Sequence, residues 1–141
     1  MSRILVINGP NLGLLGTREP AIYGSTTLEE VVHLLRSEFP QVEIEHLQSE
    51  LEGELVRAIH GAAGRCKGVV LNAGGYAHTS VALRDAVAAC PVPVVEVHVS
   101  NLLAREPFRH VSLVGAVCVG GVMGLGVDGY RLAVDHLLRR P

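Results

Sequence analysis

Short apolar runs alternate along this chain with longer stretches of helical period, the pattern of a parallel sheet covered on both faces. The runs predict strands over Arg3–Asn8, Val42–Gln48, Gly68–Asn72, Val92–Val97 and Leu113–Val119. Between the first two, Leu28, Val31, Val32, Leu35 and Phe39 recur at the spacing of one helical face. A capping box, Thr26 with Glu29 or Thr27 with Glu30, opens that helix. Leu55, Val56, Ile59 and Ala63 mark a second helix; Ser80, Leu83, Ala86, Val87 and Cys90 mark a third that stops before Pro91. A last helix carries Tyr130, Ala133, Val134, Leu137 and Leu138 on one stripe.

Parallel strands joined by right-handed crossovers then favour an α/β, flavodoxin-like, doubly wound five-stranded parallel sheet with helices on both faces. Its expected strand order is 2-1-3-4-5, with the switch point between strands one and three. The length of 141 residues fits one core, and with no repeat, linker or low-complexity tract the expectation is a single flavodoxin-like domain over 1–141.

Charge and composition narrow the function classes. The formal net charge is -2 and no block of like charges occurs, so a nucleic-acid partner is not expected. Cys66, Cys90 and Cys118 are odd in number, far apart and set in apolar stretches, which reads as reduced core thiols in a cytoplasmic protein. Ile4-Leu5-Val6-Ile7 is too short for the hydrophobic region of an export signal. Val111 to Val127 is uncharged but broken by glycines at 115, 120, 121, 124 and 126, so it reads as a buried strand and a glycine-rich turn, and no membrane partner is expected.

Candidate chemistry collects at the strand ends. Glu96 and His98 stand two residues apart at the end of a strand expected to be buried, with Ser100 just beyond, and ligands of open α/β sheets bind outside the carboxyl ends of the strands. Strand one ends in Asn8-Gly9-Pro10-Asn11 and strand three in Asn72-Ala73-Gly74-Gly75, so neighbouring strands deliver polar groups to one edge. An ion pair that only plugs the sheet, and asparagines that only tie down turns, are the alternatives. Gly9 to Ser25 is long for a passive connection and carries Arg18, Glu19 and Tyr23, which reads as a flap bringing a cation and a phenol over the crevice.

Other motifs are set aside. Gly124-Leu125-Gly126-Val127-Asp128-Gly129 fits G-x-G-x-x-G, but no further strand or ribose-binding acid follows it, so a tight turn and close helix packing are expected there. A flavin is disfavoured by the absence of tryptophan and of a Ser/Thr-rich first loop. Histidines at 33, 46, 60, 78, 98, 110 and 136 show no metal-ligand spacing, and no metal is expected. His33, His60 and His136 fall on helices; His78 and His98 follow strands at the pocket edge.

Four long motifs in order carry a resemblance over nearly the whole chain. They are Asn8 to Gly24 (NGPNLGLLGTREPAIYG), Gln48-Ser49 with Glu52 to Leu55 (EGEL), Asn72 to Asp85 (NAGGYAHTSVALRD) and Glu96 to His110 (EVHVSNLLAREPFRH). In these the chain resembles the type II 3-dehydroquinate dehydratase family. The resemblance implies a flavodoxin-like fold, a homo-oligomer that is a dodecamer built from trimers, and no cofactor. It also implies the substrate 3-dehydroquinate, dehydrated reversibly to 3-dehydroshikimate in aromatic amino acid biosynthesis.

That reaction asks for particular groups. A base must remove a proton alpha to a ketone near neutral pH, and a phenol serves where a nearby cation favours its anion. By resemblance Tyr23 is the base and Arg18 its activator on the flap. The enolate needs prepositioned donors, and Asn11 matches the residue that holds a water there. The hydroxyl leaves only if protonated; His98 matches the acid, with Glu96 to orient it and favour its charged form. Asn72 and the backbone at Val99 and Ser100 match the carboxylate site, His78 and Arg109 the ring-hydroxyl contacts, and Asp85 a residue reaching a neighbouring subunit's site.

Arg105 and Glu106 are read as structural. Gly13, Ala77, Leu103 and Val111 depart from the family's usual asparagine, threonine, histidine and histidine, which touches flap motion and loop packing but no proton-transfer group. The competing reading is a catalytically idle module that binds a small anion or serves as an assembly scaffold.

Overall fold

Alternation along strand β1 (Ser2–Asn8) sorts its side chains into two layers. Ile4 and Val6 join one buried cluster and Leu5 and Ile7 the other, all at most 3% exposed, which makes this strand the central wall of the molecule. In the computed structural model, which describes residues 1–141, β1 pairs in parallel with β2 (Val42–Gln48) on one side and β3 (Gly68–Asn72) on the other. β4 (Val94–His98) and β5 (Gly120–Met123) complete the order β2-β1-β3-β4-β5. The expected doubly wound, flavodoxin-like sheet is the fold observed. The chain reverses its direction of travel across the sheet between β1 and β3, and the carboxyl ends Asn8, Asn72 and His98 share one edge.

Helices cover both faces. The first long helix, α2 (Leu28–Glu38), presents Leu28, Val31 and Leu35 to the cluster of Ile4 and Val6, and α6 (Asp128–Arg139) adds Tyr130, Val134 and Leu137 to it. On the other face α3 (Glu52–Gly61) and α5 (Val81–Ala89) bury Leu55, Ile59, Leu83 and Val87. Each such side chain contributes about 1.5–3 kcal/mol by leaving water. Of the two possible capping boxes, Thr27 with Glu30 forms: Thr27 Oγ1 accepts from the Glu30 amide while Glu30 accepts from the Thr27 amide. Two one-turn helices, α1 (Pro20–Tyr23) and α4 (Tyr76–Thr79), lie in segments where the sequence shows no helical period.

The last strand differs from expectation. Leu113–Val119, expected to be β5, folds instead as a turn and a 3-10 segment over Gly115–Val117, and pairing with β4 begins only beyond it, at Gly120. Val114 is fully buried beneath the α5 side and the Leu113 amide donates to the Ala77 carbonyl, so these apolar residues plug the core as a loop. The strand itself holds Gly120 and Gly121, where a Cβ at 121 would come within 3.3 Å of the Glu96 carbonyl oxygen. β4 also starts two residues later than expected and continues through His98.

The glycines of the rejected dinucleotide motif turn the chain into α6. Gly124 and Gly126 have φ of +82° and +64°, and Gly129 lies against Val97 and Val122. No helix is long and apolar enough to cross a membrane. The three cysteines are free thiols, partly rather than fully buried. Burial, then Glu96, pushes the Cys118 thiol up to about 12.

Candidate active site

The switch point is held together at backbone level. The Gly9 amide donates to the Asn72 carbonyl at 2.8 Å, and a Cβ on Gly9 would lie 2.5 Å from the Ala73 carbonyl oxygen, so only glycine lets the two loops meet. Gly74, at φ +60°, lets the second loop lie close against Pro10, whose carbonyl oxygen would be 2.9 Å from a Cβ there. Asn11 adopts a left-handed conformation at φ 69°, and its amide is anchored on Glu50 Oε2 at 2.8 Å. These loops form the floor and near wall of a crevice partly open to solvent.

The covering segment supplies the far wall. Pro20 starts α1, which ends in Tyr23, and two guanidinium groups approach the phenol ring. Arg18 Cζ is 4.8 Å from the ring centroid and Arg105 Cζ 5.2 Å, within cation–π range. Arg105 also donates to Ser100 Oγ at 3.2 Å and has a nearly buried side chain. The purely structural role expected for Arg105 is therefore incomplete: it lines the crevice together with Arg18 and Arg109. Glu106 stays outside, accepting from Arg109 Nε at 3.0 Å. Nothing in its own neighbourhood of sequence marks Arg105, because its contact with Tyr23 spans the flap and the loop after β4.

At the back wall stand the two imidazoles. His98 is 6% exposed and stacks on His78, ring centroids 6.0 Å apart and planes inclined by 22°. His78 Nδ1 lies 2.8 Å from the Val111 carbonyl oxygen, which can only accept, so Nδ1 carries the proton. His98 Nε2 is 3.1 Å from Glu96 Oε2, yet the N–H axis misses the oxygen, so the two groups are in close contact without an aligned hydrogen bond. Burial drives the Glu96 carboxyl up, but His98, Ser112 and the more distant His78 together outweigh it and leave the group below its ordinary value. Glu96 is thus an anion behind the crevice.

Ser112 and Gly115 complete that arrangement and were not singled out by the sequence. Ser112 Oγ donates to Glu96 Oε2 and accepts from the Gly115 amide at 2.9 Å. A Cβ on Gly115 would come 2.5 Å from Glu96 Oε1, so the loop in the place of the expected strand closes directly on the carboxylate. Only a three-dimensional pairing of this loop with β4 reveals it.

Asn11, Arg18, Tyr23, Asn72, His78, His98, Val99, Ser100 and Arg109 thus line one crevice, and Glu96 lies just behind His98. Asp85 does not join them: it is exposed on α5, paired with Arg84 at 2.9 Å. Of the departing positions, Ala77 is fully buried, while Leu103 and Val111 are exposed and Val111 meets the site through its carbonyl alone. Three arginines and no acidic side chain line the crevice, an electrostatic setting for an anion. No cluster of His, Cys, Asp and Glu suited to a metal occurs.

Comparison with known proteins bears on the family and the fold. The family model described as dehydroquinase class II matches residues 2–138. A 3-dehydroquinate dehydratase of Aliivibrio fischeri (strain MJ11) is 52% identical over 141 residues, covering 99% of this chain and 95% of that protein. One of Ruegeria pomeroyi is 53% identical over 139 residues, covering 97% and 93%. The crystal structure of the type II dehydroquinase from Propionibacterium acnes superposes with a TM-score of 0.95 at 41% identity, covering 99% of this chain and 98% of that one. With a family model matched over nearly its whole length, a superposable fold and relatives of this likeness end to end, the chain belongs to the class II dehydroquinase family.

Proposed function

We propose that this protein is a hydro-lyase that reversibly dehydrates 3-dehydroquinate to 3-dehydroshikimate through an enolate, in the cytoplasmic route to aromatic amino acids. The observation that carries this reading is the anion-attracting crevice in which a phenol flanked by two guanidinium groups shares one lining with paired imidazoles. The substrate is a carboxylate, and the relatives named 3-dehydroquinate dehydratase support the same reaction. Three free thiols accord with a reducing compartment, a point that cell fractionation tests.

In this mechanism Tyr23 removes the proton alpha to the ketone, with Arg18 and Arg105 supplying the positive charge that a phenolate needs beside it. Asn11 holds a water against the enolate oxygen, where developing charge requires a donor already in place. His98 then gives its proton to the departing hydroxyl, while ionised Glu96 fixes the ring and offsets its charge. Asn72 with the backbone of Val99 and Ser100 holds the carboxylate, and His78 and Arg109 hold the ring hydroxyls. The residues act without metal or organic cofactor. Absorbance of the conjugated enone in the near ultraviolet is expected to grow when the protein meets 3-dehydroquinate. No signal at high protein concentration would overturn the lyase reading in favour of an idle anion-binding module.

The assembly belongs to the same proposal. Asp85 is exposed on α5 and is not among the residues lining its own crevice, which supports a role at a neighbouring subunit's site in a dodecamer of trimers. Sedimentation velocity is expected to show a large oligomer; a stable monomer at working concentration contradicts it.

A further inference from the structure

Tyr130 is the largest fully buried side chain of the molecule, and its hydroxyl is not spent on helix packing. It reaches across from α6 to the switch point, accepting from Asn72 Nδ2 at 2.9 Å and donating to Asn8 Oδ1. Asn8 Nδ2 in turn lies 3.1 Å from His46 Nε2 on β2. Four side chains from β3, α6, β1 and β2 thus form one line beneath the crevice.

The direction of this line follows from a single backbone group. The Gly74 amide can only donate, and it meets Asn72 Oδ1 at 3.2 Å, so the Asn72 nitrogen must face Tyr130. The phenol accepts there and therefore gives its own proton to Asn8 Oδ1. That leaves Asn8 Nδ2 as a donor to His46 Nε2, which must be unprotonated, with the imidazole proton on Nδ1. The half-buried His46 is biased toward the neutral form by burial and by Arg36, in keeping with that requirement. The direction of each contact in the line is thereby fixed, and reversing one would set two donors or two acceptors against each other.

We propose that Tyr130 is a positioning residue for substrate binding: its hydroxyl, polarised through Asn8 and His46, holds the Asn72 amide so that the remaining Nδ2 proton is available to the substrate carboxylate. The proposal rests on the carboxylate role assigned to Asn72. It touches no reacting atom, so the effect falls on binding rather than on the chemical step. A tyrosine serving only to fill the core would leave KM alone.

The test uses the assembled enzyme with 3-dehydroquinate. Tyr130→Phe is expected to raise KM about ten-fold, as expected for losing the alignment of one hydrogen bond to a charged group, with kcat within about two-fold. Asn72→Ala is expected to raise KM at least as much. A rise with Asn72→Ala but none with a folded Tyr130→Phe overturns the positioning role alone, whereas no rise with Asn72→Ala removes the carboxylate role and the proposal with it. Should Tyr130→Phe fail to fold, neutron diffraction from the wild-type enzyme in heavy water decides the hydrogen-bond direction. Deuterium on His46 Nδ1 and none on Nε2 supports the line as drawn; deuterium on Nε2 at neutral pH overturns it.

Discussion

Tyr23→Phe is expected to lower turnover of 3-dehydroquinate by on the order of 10²–10⁴-fold, the range that a positioned acid–base group contributes. The substitution removes one oxygen and keeps the ring, so the contacts with Arg18 at 4.8 Å and Arg105 at 5.2 Å survive and the covering segment retains its anchor. Substrate affinity and oligomeric state should change little, because the carboxylate and hydroxyl contacts assigned to Asn72, His78 and Arg109 lie on other elements. The measurement is kcat by enone absorbance alongside a separate binding titration. Turnover within about ten-fold of wild type would remove Tyr23 from the role of base, since that loss falls below the range such a group typically contributes.

His98→Ala is expected to cost a similar factor but at a different step. In the proposed mechanism the variant leaves the hydroxyl without a proton donor, while Glu96 keeps Ser112 as a partner, so departure of water is expected to stall. The proposed abstraction of the alpha proton by Tyr23 does not involve that ring. In heavy water the variant should therefore exchange the alpha hydrogen of 3-dehydroquinate faster than it forms enone, by a wider margin than the wild type measured alongside it. Full activity, or loss of exchange and dehydration together in a folded protein, contradicts the division of labour between the two residues.

Legibility from sequence was uneven for physical reasons. The sheet order followed from parallel strands and right-handed crossovers, and the strands with flanking helices on both sides, β2 and β3, had the bounds expected of them. β5 did not, because an apolar stretch without alternation reads the same whether it is a strand or a buried loop; Val114 satisfies its burial by plugging the core. Arg18, Tyr23, Asn72 and His98 were legible because each sits at a strand end or in an overlong connection, and all four line the crevice. Arg105, Ser112 and Gly115 were not, since their partners Tyr23 and Glu96 are brought to them only by tertiary folding. The buried line through Tyr130 is further still from the primary structure, joining residues on four elements.

The backbone contact at Gly9 has a consequence for anyone who would redesign this scaffold. Any side chain there collides with the Ala73 carbonyl oxygen, so residue 9 is a rivet that fixes where two walls meet. Re-aiming the enzyme at a different hydroxy acid must leave that rivet untouched and draw its diversity from the residues that follow, where the chain swings out to roof the cleft.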